Sequence, residues 1–123
     1  MASFDITVDG ACKGKPEDVA KMKQRLKTIL DNGEKINDPQ WLRELFGSEL
    51  NEIDYDGPFD VEDKNQRRNV FGELFYRWGE VDIDNLQFRG NSPHSDNQAG
   101  YVNNFLLALE RVFPRVGFDF IVW

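Results

Sequence analysis

Both ends of the chain carry apolar residues at every second position. Within residues 3–9, Phe4, Ile6 and Val8 alternate with polar residues. A period of two over this length is typical of a strand that buries one face. The sequence therefore predicts a strand at each end of the chain. The apolar positions of the C-terminal strand are Val116, Phe118, Phe120 and Val122.

Beside each terminal strand the apolar spacing changes to three and four residues, which is the period of a helix. The first predicted helix runs from 16 to about 30 and opens with Pro16. The last begins near Ser95, which forms a capping-box pattern with Gln98, and it ends before Pro114. The apolar face of this last helix comprises Tyr101, Val102, Phe105, Leu106, Leu109, Val112 and Phe113.

The middle of the chain predicts one short helix and one long loop. The helix covers 39–46, because Asp38 stands at its N-cap position and Gly47 follows its last turn. The polar stretch 51–69 contains a Gly-Pro pair, so it predicts a loop, with a short strand at 53–55.

The segment after that loop predicts a hairpin. Residues 70–78 are rich in aromatic residues that favour strands. Gly79 and Glu80 form a plausible turn, and a further strand is expected within 81–89, with Val81 and Ile83 pointing inward.

The resulting order, β–α–insertion–β–β–α–β, predicts an α+β fold of the ferredoxin-like split βαβ type. We expect a mainly antiparallel four-stranded sheet with two long helices on one face. The short helix and the acidic loop form an insertion at about 34–69, and residues 1–123 form a single domain. The second face of the sheet, with Asp5, Thr7 and Asp9, should meet solvent unless the insertion covers it.

Charge is distributed unevenly along the chain, whose net charge is −7. Residues 36–123 hold eight Lys and Arg against sixteen Asp and Glu. Such a field repels phosphates and anionic lipid and attracts basic proteins, so we expect no direct nucleic-acid or membrane binding. The imbalance is concentrated at 49–63, which has no basic residue; its acidic residues are Glu49, Glu52, Asp54, Asp56, Asp60, Glu62 and Asp63.

The sequence also favours a cytoplasmic location. The single cysteine, Cys12, excludes an intramolecular disulfide and any metal site built on several thiolates. No apolar stretch approaches the roughly 20 residues of a membrane-spanning helix. Asp5 and Asp9 interrupt the region where a signal peptide would need an apolar run.

No motif in the sequence carries a specific catalytic signature. The turn at 10–16 lies between a strand and a helix, but its glycines are spaced wrongly for a phosphate-binding loop and Pro16 replaces the hydroxyl residue. A reactive Cys12 would need a base, and the single histidine, His94, lies in another loop. The contiguous Ser, His and Asp of 92–96 do not resemble a triad assembled from separate segments, and Asp96 is better explained as a helix cap.

Two Asp-x-Asp pairs offer oxygen ligands for a divalent cation. They are Asp54 with Asp56, and Asp82 with Asp84. Neither pair fits an EF-hand loop, and alternating acids on a solvated strand face are common. We therefore predict no metal site, no cofactor and no catalytic residue, and a metal-dependent enzyme that uses these pairs stays open as an alternative.

Three segments resemble the YubB-like ferredoxin-fold family. They are the run Tyr76-Arg77-Trp78-Gly79, the helix end Arg111-Val112-Phe113-Pro114 with the closing aromatic strand, and the opening Ile6-Thr7-Val8-Asp9-Gly10. The resemblance covers about half of the chain, and 34–69 has no counterpart in it. It implies a ferredoxin-like fold and a plasmid or phage origin, and it implies no mechanism because the family has no defined catalytic motif.

Charge and architecture together favour a small acidic binding protein that is not an enzyme. We expect it to inhibit a nucleic-acid-handling protein, such as a nuclease or a CRISPR effector, by occluding its basic surface, in the manner of an anti-CRISPR protein. The residues expected to contact the partner are Asp54, Tyr55, Asp56, Phe59, Asp60, Glu62 and Asp63.

Other functions fit the same sequence. A toxin-immunity protein would use the same physics, and the acidic run is equally well explained as a solvated loop. An oligomeric structural or regulatory protein would associate through exposed aromatic residues, for which Trp123 is a candidate. The sequence leaves the oligomeric state open.

Overall fold

A computed structural model describes residues 4–75, 78–92 and 98–122 of the chain. The sequence predictions that involve Tyr76, Arg77, His94, Ser95, Asp96 and Trp123 lie outside the described residues. The strands are β1 (Phe4–Lys13), β2 (Trp78–Asp82), β3 (Gln87–Ser92) and β4 (Gly117–Val122). The α-helices are α1 (Pro16–Asp31), α2 (Pro39–Phe46), α3 (Lys64–Phe71) and α4 (Gln98–Val112). Short 3-10 helices occupy Gly33–Asn37, Gly47–Glu52 and Gly72–Leu74.

The four strands form one antiparallel sheet in the order β2-β3-β1-β4. In the centre, Val8 of β1 faces Phe88 of β3 on one side and Val122 of β4 on the other. This confirms the predicted α+β class and the antiparallel four-stranded sheet. Because β1 and β3 lie inside, the edges of the sheet are β2 and β4.

The two faces of the sheet differ in burial. Ile6, Val8 and Phe88 share the face that packs on the helices, and all three are buried. On the opposite face, Gln87, Arg89 and Asp119 are exposed. The insertion therefore does not cover this second face at those positions, and it meets solvent there.

Local signals place the first two α-helices as predicted. Helix α1 starts at Pro16 and buries Met22, Leu26 and Ile29. Helix α2 is capped by the Asp38 carboxylate, which accepts hydrogen bonds from two backbone amides at 3.0 and 3.4 Å. An acceptor at the N-cap satisfies free amides of a helix start, and a proline at the first helical position removes an amide that would lack a partner.

The prediction for 51–75 is wrong in part of its secondary structure, whereas Trp78 begins a strand. The region expected to be a loop contains α3, and the expected strand at 53–55 is an isolated bridge between Asp54 and Pro58. Residues 70–75 are not a strand, because Val70 and Phe71 end α3 and a 3-10 helix follows. The apolar side chains here fit helical spacing and pack into the core, and that packing outweighs their strand propensity.

The β2–β3 connection also differs from the prediction. Gly79 lies in β2 at an irregularity of the pairing, and the turn is formed by 83–86 instead. Val81 pairs with Phe88 and therefore lies on the helix-facing side of the sheet, as predicted, but it is 42 % exposed because β2 is an edge strand. In α4, Tyr101 is exposed, so the predicted apolar face of this helix is wrong at that position.

Aromatic contacts connect the insertion to the sheet-and-helix core. The rings of Phe46 and Phe71 lie 5.7 Å apart, and those of Phe46 and Phe113 lie 6.2 Å apart. These contacts join α2 and α3 to the end of α4. The insertion is thereby packed into the same buried cluster as the sheet.

Candidate acidic interaction surface

The predicted contact residues lie in a segment, 54–63, that we call the acidic platform. Ile53, just before it, and Val61, within it, are buried. The ring of Phe59 meets Phe71 of the core at 5.9 Å and Tyr55 at 6.5 Å, in both cases edge to face. Tyr55 and Phe59 are half-buried, so they fix the platform to the core and still present part of each ring to solvent.

The first half of the platform is a tight turn. The Asp54 amide donates to the Arg111 carbonyl at 3.1 Å, and the Asp54 carboxylate accepts from the Asp56 amide at 3.1 Å. Asp56 has φ of 55°, in the left-handed region that Asp tolerates better than most residues. Local hydrogen bonds therefore hold this turn in one conformation.

The second half of the platform leads into α3. The Asp60 carboxylate accepts from the Glu62 amide at 3.0 Å, and the Asp60 amide donates to the Gln66 side chain at 2.7 Å. Asp63 caps α3 by accepting from the amides of Asn65 and Gln66. Asp54, Asp60 and Asp63 thus each use one carboxylate oxygen, Oδ1, in these local hydrogen bonds.

Two arginines from other elements pair with the remaining acids of the platform. Arg43 of α2 contacts the Glu62 carboxylate, and Arg111 of α4 lies 3.5 Å from that of Asp56. The Glu62 and Asp56 side chains are 60 % and 86 % exposed. Exposed ion pairs are weak, so both carboxylates stay accessible to an incoming cation.

The buried side chain of Arg67 holds the platform to the rest of the insertion, and the sequence analysis did not predict this role. Its side chain is buried, and its guanidinium donates to the Val61 carbonyl at 2.8 Å and to the Asn37 carbonyl at 3.5 Å. The available signal was helical spacing, since Arg67 precedes Val70 and Phe71 by three and four residues and shares their face of α3.

Glu49 and Glu52 do not belong to the platform, although they lie in the same acidic run. Glu49 pairs with Arg25 and lies 3.1 Å from Arg115. Arg115 also donates two hydrogen bonds to Glu52, at 2.8 and 2.7 Å. These contacts link α1, the 3-10 helix Gly47–Glu52 and the turn that precedes β4. Arg25 and Arg115, which are distant in sequence, therefore neutralise two of the acidic residues of the 49–63 run.

The same contacts shift two carboxyl groups towards their charged form. The hydrogen bond from Arg25, together with nearby Lys21 and Arg115, lowers the pKa of Glu49. The hydrogen bonds from Arg115 lower the pKa of Glu52 and raise the pKa of Arg115. Both glutamates thus stabilise the fold in their ionised state.

The fold should lose stability on acidification through these two glutamates. Because their pKa values in the folded state lie below the ordinary 4.5, the unfolded state binds protons first. Their contribution is complete above about pH 4.5 and disappears as pH falls through the folded pKa. Urea midpoints measured between pH 3 and 6 should fall less steeply for Glu49→Gln than for the wild type. Glu110→Gln, an exposed control on α4, should follow the wild type; equal slopes in all three would contradict the assignment.

The other sequence candidates are not assembled into a reaction centre among the described residues. Residues 10–13 belong to β1, so the turn between β1 and α1 consists only of Gly14 and Lys15. Cys12 is half-buried within β1, facing Phe118. Asp82 accepts two hydrogen bonds from Asn85 at the end of β2. In the part of the chain that the structure describes, no three His, Cys, Asp or Glu side chains form a metal-binding group.

Comparisons with known proteins add no relative. No family model matches the chain, and neither a curated protein nor a solved structure does. The resemblance to the YubB-like family stays a prediction. Within the described residues no helix is both long enough and apolar enough to cross a membrane.

Proposed function

We propose that this protein is a non-enzymatic binder that covers a basic, phosphate-binding surface of a nucleic-acid-handling protein with its acidic platform. The observation that carries the proposal is the fixed conformation of that platform. Asp54, Asp56, Asp60 and Glu62 are exposed on a segment whose backbone is held by its own carboxylates and by the core. The net charge of −7 adds long-range attraction to a basic partner.

A fixed platform favours affinity because little conformational freedom is lost on binding. Each Asp that caps a turn accepts its hydrogen bond on Oδ1, and Oδ2 can accept a further bond from a lysine or arginine of the partner. The half-buried rings of Tyr55 and Phe59 add apolar contact between the acids. Charged groups around an aromatic centre are typical of protein interfaces.

We also infer the ferredoxin-like split βαβ arrangement, with the insertion at about 34–69. The support is the strand order β2-β3-β1-β4, in which α1 connects β1 to β2 across β3 and α4 connects β3 to β4 across β1. The insertion follows α1, so it adds the platform without interrupting the sheet.

Removing the charge of the platform should abolish partner binding and leave the fold intact. The variant carries Asp54→Asn, Asp56→Asn, Asp60→Asn, Glu62→Gln and Asp63→Asn. Asn keeps the oxygen that caps a turn or a helix, so the melting temperature should change little. In a pull-down from bacterial lysate washed across a salt series, the wild type should retain a basic protein that elutes as salt rises. The variant should retain at least about tenfold less of it.

A second variant, with the same net charge as the platform variant, tests whether binding depends on the platform itself or only on the overall negative charge. It neutralises five exposed acids outside the platform, namely Glu17, Asp31, Glu34, Glu73 and Glu110. This control should bind as the wild type does, and a short DNA duplex should displace the captured protein from both. Equal binding by the platform variant, or equal loss in the control, would contradict the proposal.

A further inference from the structure

The two edges of the sheet are protected to different degrees. β2 carries an irregularity in its pairing and two exposed acids, Glu80 and Asp82. Bulges and charges are the usual means by which an edge strand avoids pairing with another chain. β4 (Gly117–Val122) contains no proline and no basic residue, and Asp119 is its single charge. Among the described residues β4 pairs only with β1, so its outer backbone groups are available.

β4 carries large apolar side chains that are partly exposed to solvent. Ile121 is 59 % exposed and Val122 is 50 % exposed. The rings of Phe118 and Phe120 are half-buried and stack at 5.6 Å with an interplanar angle of 10°. This edge therefore presents Phe118, Phe120 and Val122 on its helix-facing side and Ile121 on the opposite side, beside unpaired backbone. Apolar side chains on both faces of an open edge favour strand pairing.

We propose that β4 is the interface at which a second copy of this chain binds. The two β4 strands pair antiparallel about a two-fold axis at Phe120, which extends the four-stranded sheet across both copies. Such an axis is perpendicular to the sheet and keeps the helices of both copies on the same side. It also makes the contact closed, so that pairing stops at a dimer.

The residue pattern of β4 selects this register. When Phe120 of one copy lies opposite Phe120 of the other, Phe118 of each copy faces Val122 of the other. Asp119 of each copy then faces Ile121 of the other. The face shared with the helices is then apolar throughout. A shift that centres the axis on Asp119 places two carboxylates opposite each other, which is unfavourable. A shift that centres it on Ile121 leaves Phe118 without a partner within β4.

The proposed dimer depends on salt in the opposite sense to the acidic platform. Each copy carries a charge of −7, so association brings like charges together and added salt should strengthen it. Binding of a basic partner by the platform weakens with salt. Failure of one proposal is therefore distinguishable from failure of the other.

Two substitutions at Ile121 test the register directly. Ile121→Asp and Ile121→Lys remove the same apolar side chain at an exposed position, so both variants should fold. In the dimer, the introduced aspartate would repel Asp119 of the other copy in two symmetric pairs, whereas the introduced lysine would attract it. Sedimentation equilibrium of the purified chain should give a concentration-dependent mass. The dimer dissociation constant of Ile121→Asp should exceed that of Ile121→Lys by about tenfold or more.

Matched substitutions on the other edge strand remove the effect of net charge. Val81→Asp and Val81→Lys change the charge by the same amounts at a similarly exposed position of β2. Both should dimerise about as well as the wild type. A wild-type chain that stays monomeric at the highest soluble concentration would overturn the proposal. So would equal dissociation constants for the two Ile121 variants.

Discussion

Replacing Phe105 with alanine is expected to lower the free energy of unfolding by about 3–5 kcal/mol. Phe105 is fully buried on α4. Its ring lies 5.0 Å from that of Phe88 in β3 and 5.2 Å from that of Trp78 in β2. The substitution therefore removes the side chain that joins this helix to two strands and leaves a cavity between rigid rings.

Urea unfolding followed by tryptophan fluorescence measures this loss, since Trp78 lies in the affected cluster. Leu107→Ala on the same helix is the control, because Leu107 is 43 % exposed. That change should alter stability by no more than about 0.5 kcal/mol. Similar losses for both variants would show that α4 does not pack on the sheet through Phe105.

The elements that were predicted correctly depend on local signals. α2 is an example, because Asp38, Pro39 and Gly47 mark both of its ends within a span of ten residues. β1 was predicted from its alternation, although it continues to Lys13 because β4 pairs with its second half. Its extension depends on a partner strand that local patterns do not show.

The elements that were missed depend on tertiary contacts. The aromatic content of 70–78 favoured a strand, but Val70, Phe71 and Leu74 lie on α3 and the turn after it, buried against the core. Asp63, the N-cap of α3, stands within an acidic run, which hides its capping role in the sequence. Strand propensity and helical spacing disagree in this segment, and the burial of all three side chains against the core favours the helix.

Only part of the acidic platform could be predicted from the sequence, because its ion pairs also depend on tertiary contacts. The acidic residues of the platform are visible in the sequence, and so are the aromatic residues between them. Their ion pairs are not visible, because Arg43 and Arg111 lie 19 and 55 residues away from the acids they contact. Long-range pairs of this kind leave no periodic signal in a single sequence.

Replacing Arg67 with alanine should loosen the acidic platform and lower the free energy of unfolding by about 2–4 kcal/mol. The guanidinium is the hydrogen-bond donor to the buried carbonyl of Val61, and its alkyl stem fills space under the platform. Arg67→Met keeps that stem and removes the donor. This variant should lower the free energy of unfolding by about 1–3 kcal/mol, because the Val61 carbonyl loses its hydrogen-bond donor.

Hydrogen exchange of the amides in 54–63 separates local loosening from global unfolding. In both variants these amides should exchange faster than the change in global stability requires, because Arg67 holds the platform directly. Arg68→Ala is the control, since Arg68 is the exposed neighbour on α3 and its loss should leave the platform unchanged. If platform exchange in the Arg67 variants matched that of Arg68→Ala, the rigidity on which the proposed binding depends would have another source.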